Sequence, residues 1–518
     1  MNQSPRGAVA FILALGVAAS LLIPTPCTAA NGVLTLATRD ETTGQAVPVR
    51  LELQNATGRK TPLRRAVASG PGVVLDRSLD LTLPNGQYRF RLVRGPEYRV
   101  WTGEFTLEPS AADERLVTLP RMVDMRAEGY LSGDLAVADA SQTLPLRMTA
   151  EDLHVAAVVA PSNSSSDRAA TAEKLTAAQP QLGPLWLGQS VVKREGLLLY
   201  PAADAAEPLP TDRSASATLA QLPPDSPTRV AIADPFAFQL PIWLASERID
   251  GLFVLGDWLR EGSRVEKIAG SRPITEIGFT GPQGPGRYAE SVYWRLLEAG
   301  FTLAPLAGTG PAASGSAVGY NRVYAVGPAK DPEDQRQVES VSSEQQWYDA
   351  VWAGRSVVTN GPLLRPTLGG QAPGHRFEAR QGEVLQMAVE LHLAVRDPVD
   401  YLEVIHNGEV FYSARLDEFS LAGGMIPPLT IDRSGWVLVR VVTGYEDHFR
   451  AAISAPWYIH FDDTPRISRK AVEFFGRWLV DCETELKKLP ADQLAAHIAP
   501  VQTARAFWNQ RLQAANAD

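Results

Sequence analysis

The strongest constraint on what this chain can fold into is a change of hydrophobic period along its length. After the Pro84-Asn85-Gly86 turn, Tyr88, Phe90 and Leu92 alternate with Gln87, Arg89 and Arg91, the mark of a half-buried strand. In the middle the texture changes. Residues 155–160 are a short apolar run of strand length, while residues 288–299 are long enough for a helix and stop at Gly300. Ser343, with Gln346 three residues on and Gly354 beyond, reads as a capped helix. Period two then returns: Leu385, Met387, Val389, Leu391, Leu393 and Val395 alternate with Gln386, Ala388, Glu390, His392 and Ala394, and Asn407-Gly408 predicts a hairpin. Finally Val472, Phe475, Leu479, Cys482, Leu486 and Leu489 fall at steps of three and four, on one face of a helix. A last helix carrying Ile498, Val501, Trp508 and Leu512, kinked or started at Pro500, is expected to fold back on it.

A chain of 518 residues with this alternation is too long for one core. The expected fold class is multidomain α/β plus β. Residues 1–30 form a signal peptide, 31–120 a β-sandwich, 121–360 an α/β domain, 361–463 a second β-sandwich and 464–518 a helical hairpin. Residues 281–286, dense in glycine and proline, are expected as an irregular loop entering a helix at Arg287 or Tyr288.

The amino terminus carries Arg6, a mostly apolar run from Ala8 to Ile23, two prolines and then Thr28-Ala29-Ala30, the order of a secretory signal cleaved near Asn31. A secreted or periplasmic location is expected, with no transmembrane segment after cleavage. Cys482 is then the one cysteine left; in an apolar helical stripe it reads as a small buried hydrophobe. The net charge of -9, with acids and bases mixed along the chain, offers no basic stripe for a phosphate backbone and excludes nucleic acid as partner.

Seven segments stand out, in this order along the chain. They are Gly-Asp-Leu-Ala-Val-Ala at 133–138, Ala-Glu-Asp-Leu-His-Val at 150–155, Leu-Pro-Ile-Trp-Leu-Ala-Ser at 240–246, Gly-Arg-Tyr-Ala-Glu-Ser at 286–291, Gly-Tyr-Asn-Arg-Val-Tyr at 319–324, Val-Thr-Asn-Gly-Pro at 358–362 and Asp-Pro-Val-Asp-Tyr-Leu at 397–402. In that order and spacing the chain resembles the CehA/McbA-like branch of the PHP (polymerase and histidinol phosphatase) metallohydrolases. The resemblance implies that the α/β domain is a PHP-like distorted (β/α) barrel.

It also implies a metal site, and there this sequence departs from the family. The first family motif places two histidines, two residues apart at a strand end, where Ala136 and Ala138 stand here. The next, Thr-Asp-His-Asn, falls on residues 160–163, where Asn163 alone is kept. A third, Asn-His-Met, lands on Asp257, Trp258 and Leu259. Of the seven histidines only His154 lies in the α/β domain, and at the start of an apolar strand it reads as a structural, hydrogen-bonded residue.

The expectation is a pseudoenzyme: no catalytic residue, no metal ligand, no cofactor, and a residual pocket made of Asp134, Ala136, Ala138, His154, Asn163, Asp257, Trp258 and Asn360. Its partner would be a small molecule or a cell-envelope component. Two alternatives stand beside it. One is a hydrolase of phosphoesters or related esters holding a divalent metal through Asp134, Asp139, Glu151, Asp152 or Asp257. The other is a structural envelope protein using its sandwiches for contact.

Overall fold

The computed structural model describes residues 31–138, 141–159, 165–178, 180–188, 191–202, 214–265, 271–310, 315–328 and 338–518. The expected signal peptide and Asn163 lie outside them. The protein is a mixed α/β fold with several sheets.

In the amino-terminal region two sheets share one core. The strand Asn31–Asp40 runs antiparallel to Ser78–Pro84 and parallel to Ala112–Leu119. The other sheet has Gly86–Val93 between Val49–Asn55 and Trp101–Leu107. Tyr88, Phe90 and Leu92 point inward as the alternation requires, and meet Leu34, Leu36, Leu51 and Leu53.

The strand Tyr130–Val137 is buried along its whole length and is flanked on both sides, by Val155–Val158 in parallel and by Arg322–Val326 antiparallel. From there the sheet continues through Ser356–Thr359, Ala451–Ser454, Gly435–Thr443, Val399–His406 and Glu409–Ala414. The boundary expected between residues 360 and 361 is therefore crossed by one sheet, in which Val357, Val358 and Thr359 pair with Ser454, Ile453 and Ala452. The reason is burial: Ser356–Thr359 is covered throughout, and its backbone groups need ladder partners on both edges. The strand Gly435–Thr443 shows how one sheet serves two cores. Val437, Val439 and Val441 face one, and Trp436, Leu438 and Val442 face the other. Arg440 falls in the second series, where Glu290 and Glu403 neutralise it, the latter at 2.6 Å.

A second sheet orders Val192–Arg194, Leu197–Tyr200, Arg229–Ile232, Gly251–Leu255 and Ala304–Ala307. Its last three strands are parallel, connected over the helices Leu240–Leu244 and Gly284–Glu298. Isolated parallel bridges, Val159 to Val191 and Val137 to Gly310, link this sheet to the first at both ends.

Several local expectations change in detail. The helix Gly284–Glu298 begins inside the segment expected as a loop, because Pro285 sits in its first turn, where no N–H is needed. The helix Glu344–Trp352 is capped by the Ser343 hydroxyl, while Gln346 reaches back to the Ser342 N–H and not to that of Ser343. The alternating run at 385–395 is two strands, Leu385–Met387 on Leu429–Ile431 and Val389–Ala394 on Leu363–Leu368. The hairpin at Asn407-Gly408 has both residues at positive φ, 51° and 77°, as a two-residue turn demands. The helices Arg469–Leu486 and Ala491–Gln513 pack on each other and on Leu240–Leu244, with Pro500 inside the second and nine residues past its start. Cys482 is buried in their contact, its thiol pushed up to about 12 by burial.

Candidate functional site

The parallel strands end on one side of the molecule, and a cavity of about 280 Å³ opens there. Ala136 and Ala138, at the end of Tyr130–Val137, are two residues apart and both line it. Asp234 follows Arg229–Ile232 by two residues, and Asp257 follows Gly251–Leu255 by two; both reach the same space. Gly308 and Gly310 come from the turn after Ala304–Ala307. The C-terminal edge of parallel strands is where α/β folds place their ligands, because the loops there are free to vary over a rigid floor.

Close packing explains the glycines. A Cβ on Gly308 would stand 2.7 Å from the Ala136 Cβ, and one on Gly310, at φ 78°, 2.3 Å from that of Asp257. Trp258 is 3% exposed and forms a wall of the cavity without filling it. Its indole packs edge-to-face on Phe236 at 5.0 Å, over Gly256, whose missing Cβ would meet the ring at 2.2 Å. The rest of the lining is mixed: Lys193, Glu195, Ser271 and Phe253. Burial pushes the Asp234 carboxyl above the usual carboxylate range and Asp257 adds to this, while the Phe236 N–H, donating at 2.9 Å, and Lys193 pull it back.

Asp134 has a different task. Completely buried, it accepts backbone N–H bonds from Ala136 and Thr309 on Oδ1, each at 3.0 Å, and from Gly319 on Oδ2 at 2.9 Å. It ties three chain segments together beside the cavity. Burial raises its pKa, and the Thr309 side chain together with the three backbone N–H groups opposes that rise.

His154 and Asn360 are not part of this cavity. His154 is 4% exposed, with Nδ1 2.9 Å from the Ser132 hydroxyl, which itself donates to the Asp152 carbonyl at 2.9 Å. With the hydroxyl proton spent on that carbonyl, Nδ1 carries the imidazole proton. Burial lowers its pKa to about 4, Asp152 opposing and three nearby arginines assisting. Asn360 bridges backbone, accepting from Ala451 N at 2.8 Å and donating to Phe449 O at 3.0 Å. Of the eight residues expected to form one pocket, the structure brings together Ala136, Ala138, Asp257 and Trp258.

Of the other carboxylates offered as oxygen ligands, Glu151 and Asp152 are committed elsewhere, while Asp257 faces the cavity. Glu151 lies 2.7 Å from Arg50, and Asp152 pairs with Arg94; Asp139 lies outside the described residues. Among the described residues no group of three or more His, Cys, Asp and Glu side chains is placed to hold a metal ion. Lys193, Asp234 and Phe236 escaped the sequence reading. A signal for Asp234 was there: Ile232-Ala233-Asp234 repeats the apolar-small-Asp order of Leu255-Gly256-Asp257 at the end of a buried strand.

No known protein family and no characterised protein matches the sequence. Among solved structures, the Bacillus anthracis TIE protein is similar to 21% of this chain over 20% of its own length, at 22% identity and a TM-score of 0.15. A likeness of that size carries no argument about fold or function.

Proposed function

We propose that this chain is an exported, non-catalytic protein of PHP-like architecture whose strand-end cavity binds a small neutral or cationic molecule. The observation that carries the reading is the cavity floor. Two alanine methyls stand where a metallohydrolase of this kind needs imidazoles, and a methyl group has no lone pair to offer. A water there keeps its bulk acidity, so hydroxide is scarce at neutral pH.

The distorted-barrel reading is supported by the run of hydrogen-bonded neighbours that leads from Tyr130–Val137 through Val155–Val158 and the second sheet back to Val137 across Gly310. The ligand class follows from the walls. Asp234, Asp257 and Glu195 outnumber Lys193, and Phe236, Phe253 and Trp258 supply apolar and aromatic surface that favours a cation or an uncharged ring. Export rests on the amino-terminal pattern; no helix among the described residues is long and apolar enough to cross a membrane.

The test is elemental analysis of the purified protein, followed by assays on phosphomonoesters, phosphodiesters and aryl esters with added Zn, Mn or Mg. No stoichiometric metal and no turnover are expected, and Trp258 fluorescence should respond to amines or polyols. Bound metal, with turnover lost in both Asp234→Asn and Asp257→Asn, would revive the oxygen-ligand hydrolase, which has those two carboxylates in one cavity in its favour.

A further inference from the structure

A second cleft, of about 110 Å³, lies where the amino-terminal sheets, the strand Arg322–Val326 and the segment joining Val389–Ala394 to Val399–His406 meet. Its lining is unlike that of the strand-end cavity. Arg50, Arg91, Arg322, Arg396 and Arg450 face it, against Glu151, Glu261 and Asp397.

Four of the five guanidiniums are accounted for. Arg50 meets Glu52, Glu151 and Glu261 at 2.8, 2.7 and 2.9 Å. Arg91 at the rim pairs with Glu52 at 2.9 Å. Arg322 donates to the carbonyls of Gly319, Glu151 and Asp152. Arg450 binds Asp397 at 2.9 Å and the Tyr320 hydroxyl at 2.6 Å, its guanidinium 3.6 Å from the centre of the Tyr445 ring.

Arg396 is the exception. Among the described residues it has no ion pair, and its hydrogen bond is a long one, 3.4 Å from Nη1 to the Tyr98 carbonyl. Burial and the neighbouring Arg450 and Arg50 lower its pKa to about 10, Asp397 and Glu151 opposing, which still leaves it cationic at neutral pH. A half-buried cation in no ion pair, with further arginines around it and Glu151, Glu261 and Asp397 already engaged by Arg50 and Arg450, gains from an added anion. Arg50, Arg322 and Arg450 are held by their own partners and Arg91 lies at the exposed rim, so the fork of Arg396 is the half-buried one with the most donors to give.

We propose that this cleft binds a small molecule through a phosphate, sulfate or carboxylate group seated on Arg396, with Arg450 beside it. The cleft opens to solvent, so an oxyanion head can seat on Arg396 while the rest of the molecule extends outward. The site is separate from the strand-end cavity and stands whether or not that cavity binds a ligand.

The experiment is calorimetric titration of the purified protein with inorganic phosphate, sulfate or succinate at low ionic strength, and with chloride as control. Saturable one-to-one binding of at least one of the three is expected, weakening as salt is added, and the arm that binds tightest identifies the head group. Arg396→Gln should weaken it at least tenfold with the melting temperature kept, and Arg396→Lys, which keeps the charge and loses the fork, should fall between. If Arg396→Gln does not fold, Arg396→Lys alone carries the comparison, with a clear loss of affinity expected. Absence of saturable binding in all three arms, or a folded variant that binds as the wild type does, overturns the proposal.

Discussion

Asp134→Asn tests whether the buried carboxylate is a staple or a ligand-binding group. The substitution is isosteric, so it makes no cavity. Its amide oxygen can still accept from Ala136 and Thr309, but as a neutral acceptor, and its NH2 group then faces the Gly319 N–H, donor against donor. Hydrogen bonds to a charged group contribute about 1.5–3 kcal/mol and neutral ones about 0.5–1.5 kcal/mol, so the first two contacts lose about 1 kcal/mol each. Leaving the Gly319 donor unmet costs a further 1–3 kcal/mol, roughly. Against this, a buried charge is removed, the same desolvation that raises the Asp134 pKa. Because that pKa is raised, desolvation offsets the loss at the first two contacts, and the net expectation is a loss of about 1–3 kcal/mol from the unmet Gly319 donor, read as a lower urea midpoint with unchanged slope. Rotating the amide does not help, because one of its ends always meets an N–H donor. A variant within about 1 kcal/mol of the wild type would refute the staple, since that is the scale of one ordinary hydrogen bond. Because the residue acts on the fold, an inactive Asp134→Ala protein would say nothing about catalysis; Asp234 and Asp257 are the positions that do.

His154 should make stability depend on pH: its folded pKa, about 4, lies below its value in the unfolded chain, about 6.5, so its contribution is complete above pH 6.5 and is lost as the pH falls toward 4. Between pH 7.5 and 5 the wild type should lose about 2 kcal/mol more than His154→Gln, and equal losses in urea titrations would remove the histidine from the account. Gly310→Ala should cost more than about 2 kcal/mol, from its left-handed backbone and the contact with Asp257, and a stable variant would show that this turn can move. Cys482 should resist thiol reagents in the folded protein and react only on global unfolding, whereas rapid labelling of native protein would contradict its place between the terminal helices.

What the sequence could tell depended on whether a feature was local. The Asn407-Gly408 turn, the cap at Ser343 and the stripe through Cys482 are set by neighbours within a few residues, and each can be read from spacing alone. Pairing between distant strands is not local. The run at 385–395 has one unbroken alternation, yet it changes partner strand at Ala388, because the pleat dictates which face a side chain takes and not which strand lies beside it. The continuity of the long sheet across residue 360 was hidden in the same way, since Ser356–Thr359 and Ala451–Ser454 are each short, apolar and far apart.

The candidate site divides along the same line. Ala136 and Ala138 share a face by strand period and both reach the cavity, and Trp258 joins them from beyond the end of Gly251–Leu255 in the second sheet. Asp134, His154 and Asn360 were grouped with them by motif, but a motif records which residues accompany one another and not which way each side chain turns. Asp134 turns to backbone N–H groups, His154 to Ser132, and Asn360 to the chain around Phe449. Arg396 shows the converse. Nothing in its neighbourhood along the chain marks it, because Asp397, the adjacent acid that would be its obvious partner, is taken by Arg450 more than fifty residues away. An unpaired charge is a property of the whole arrangement of partners, and it becomes visible only once every other arginine around the cleft has been assigned its own.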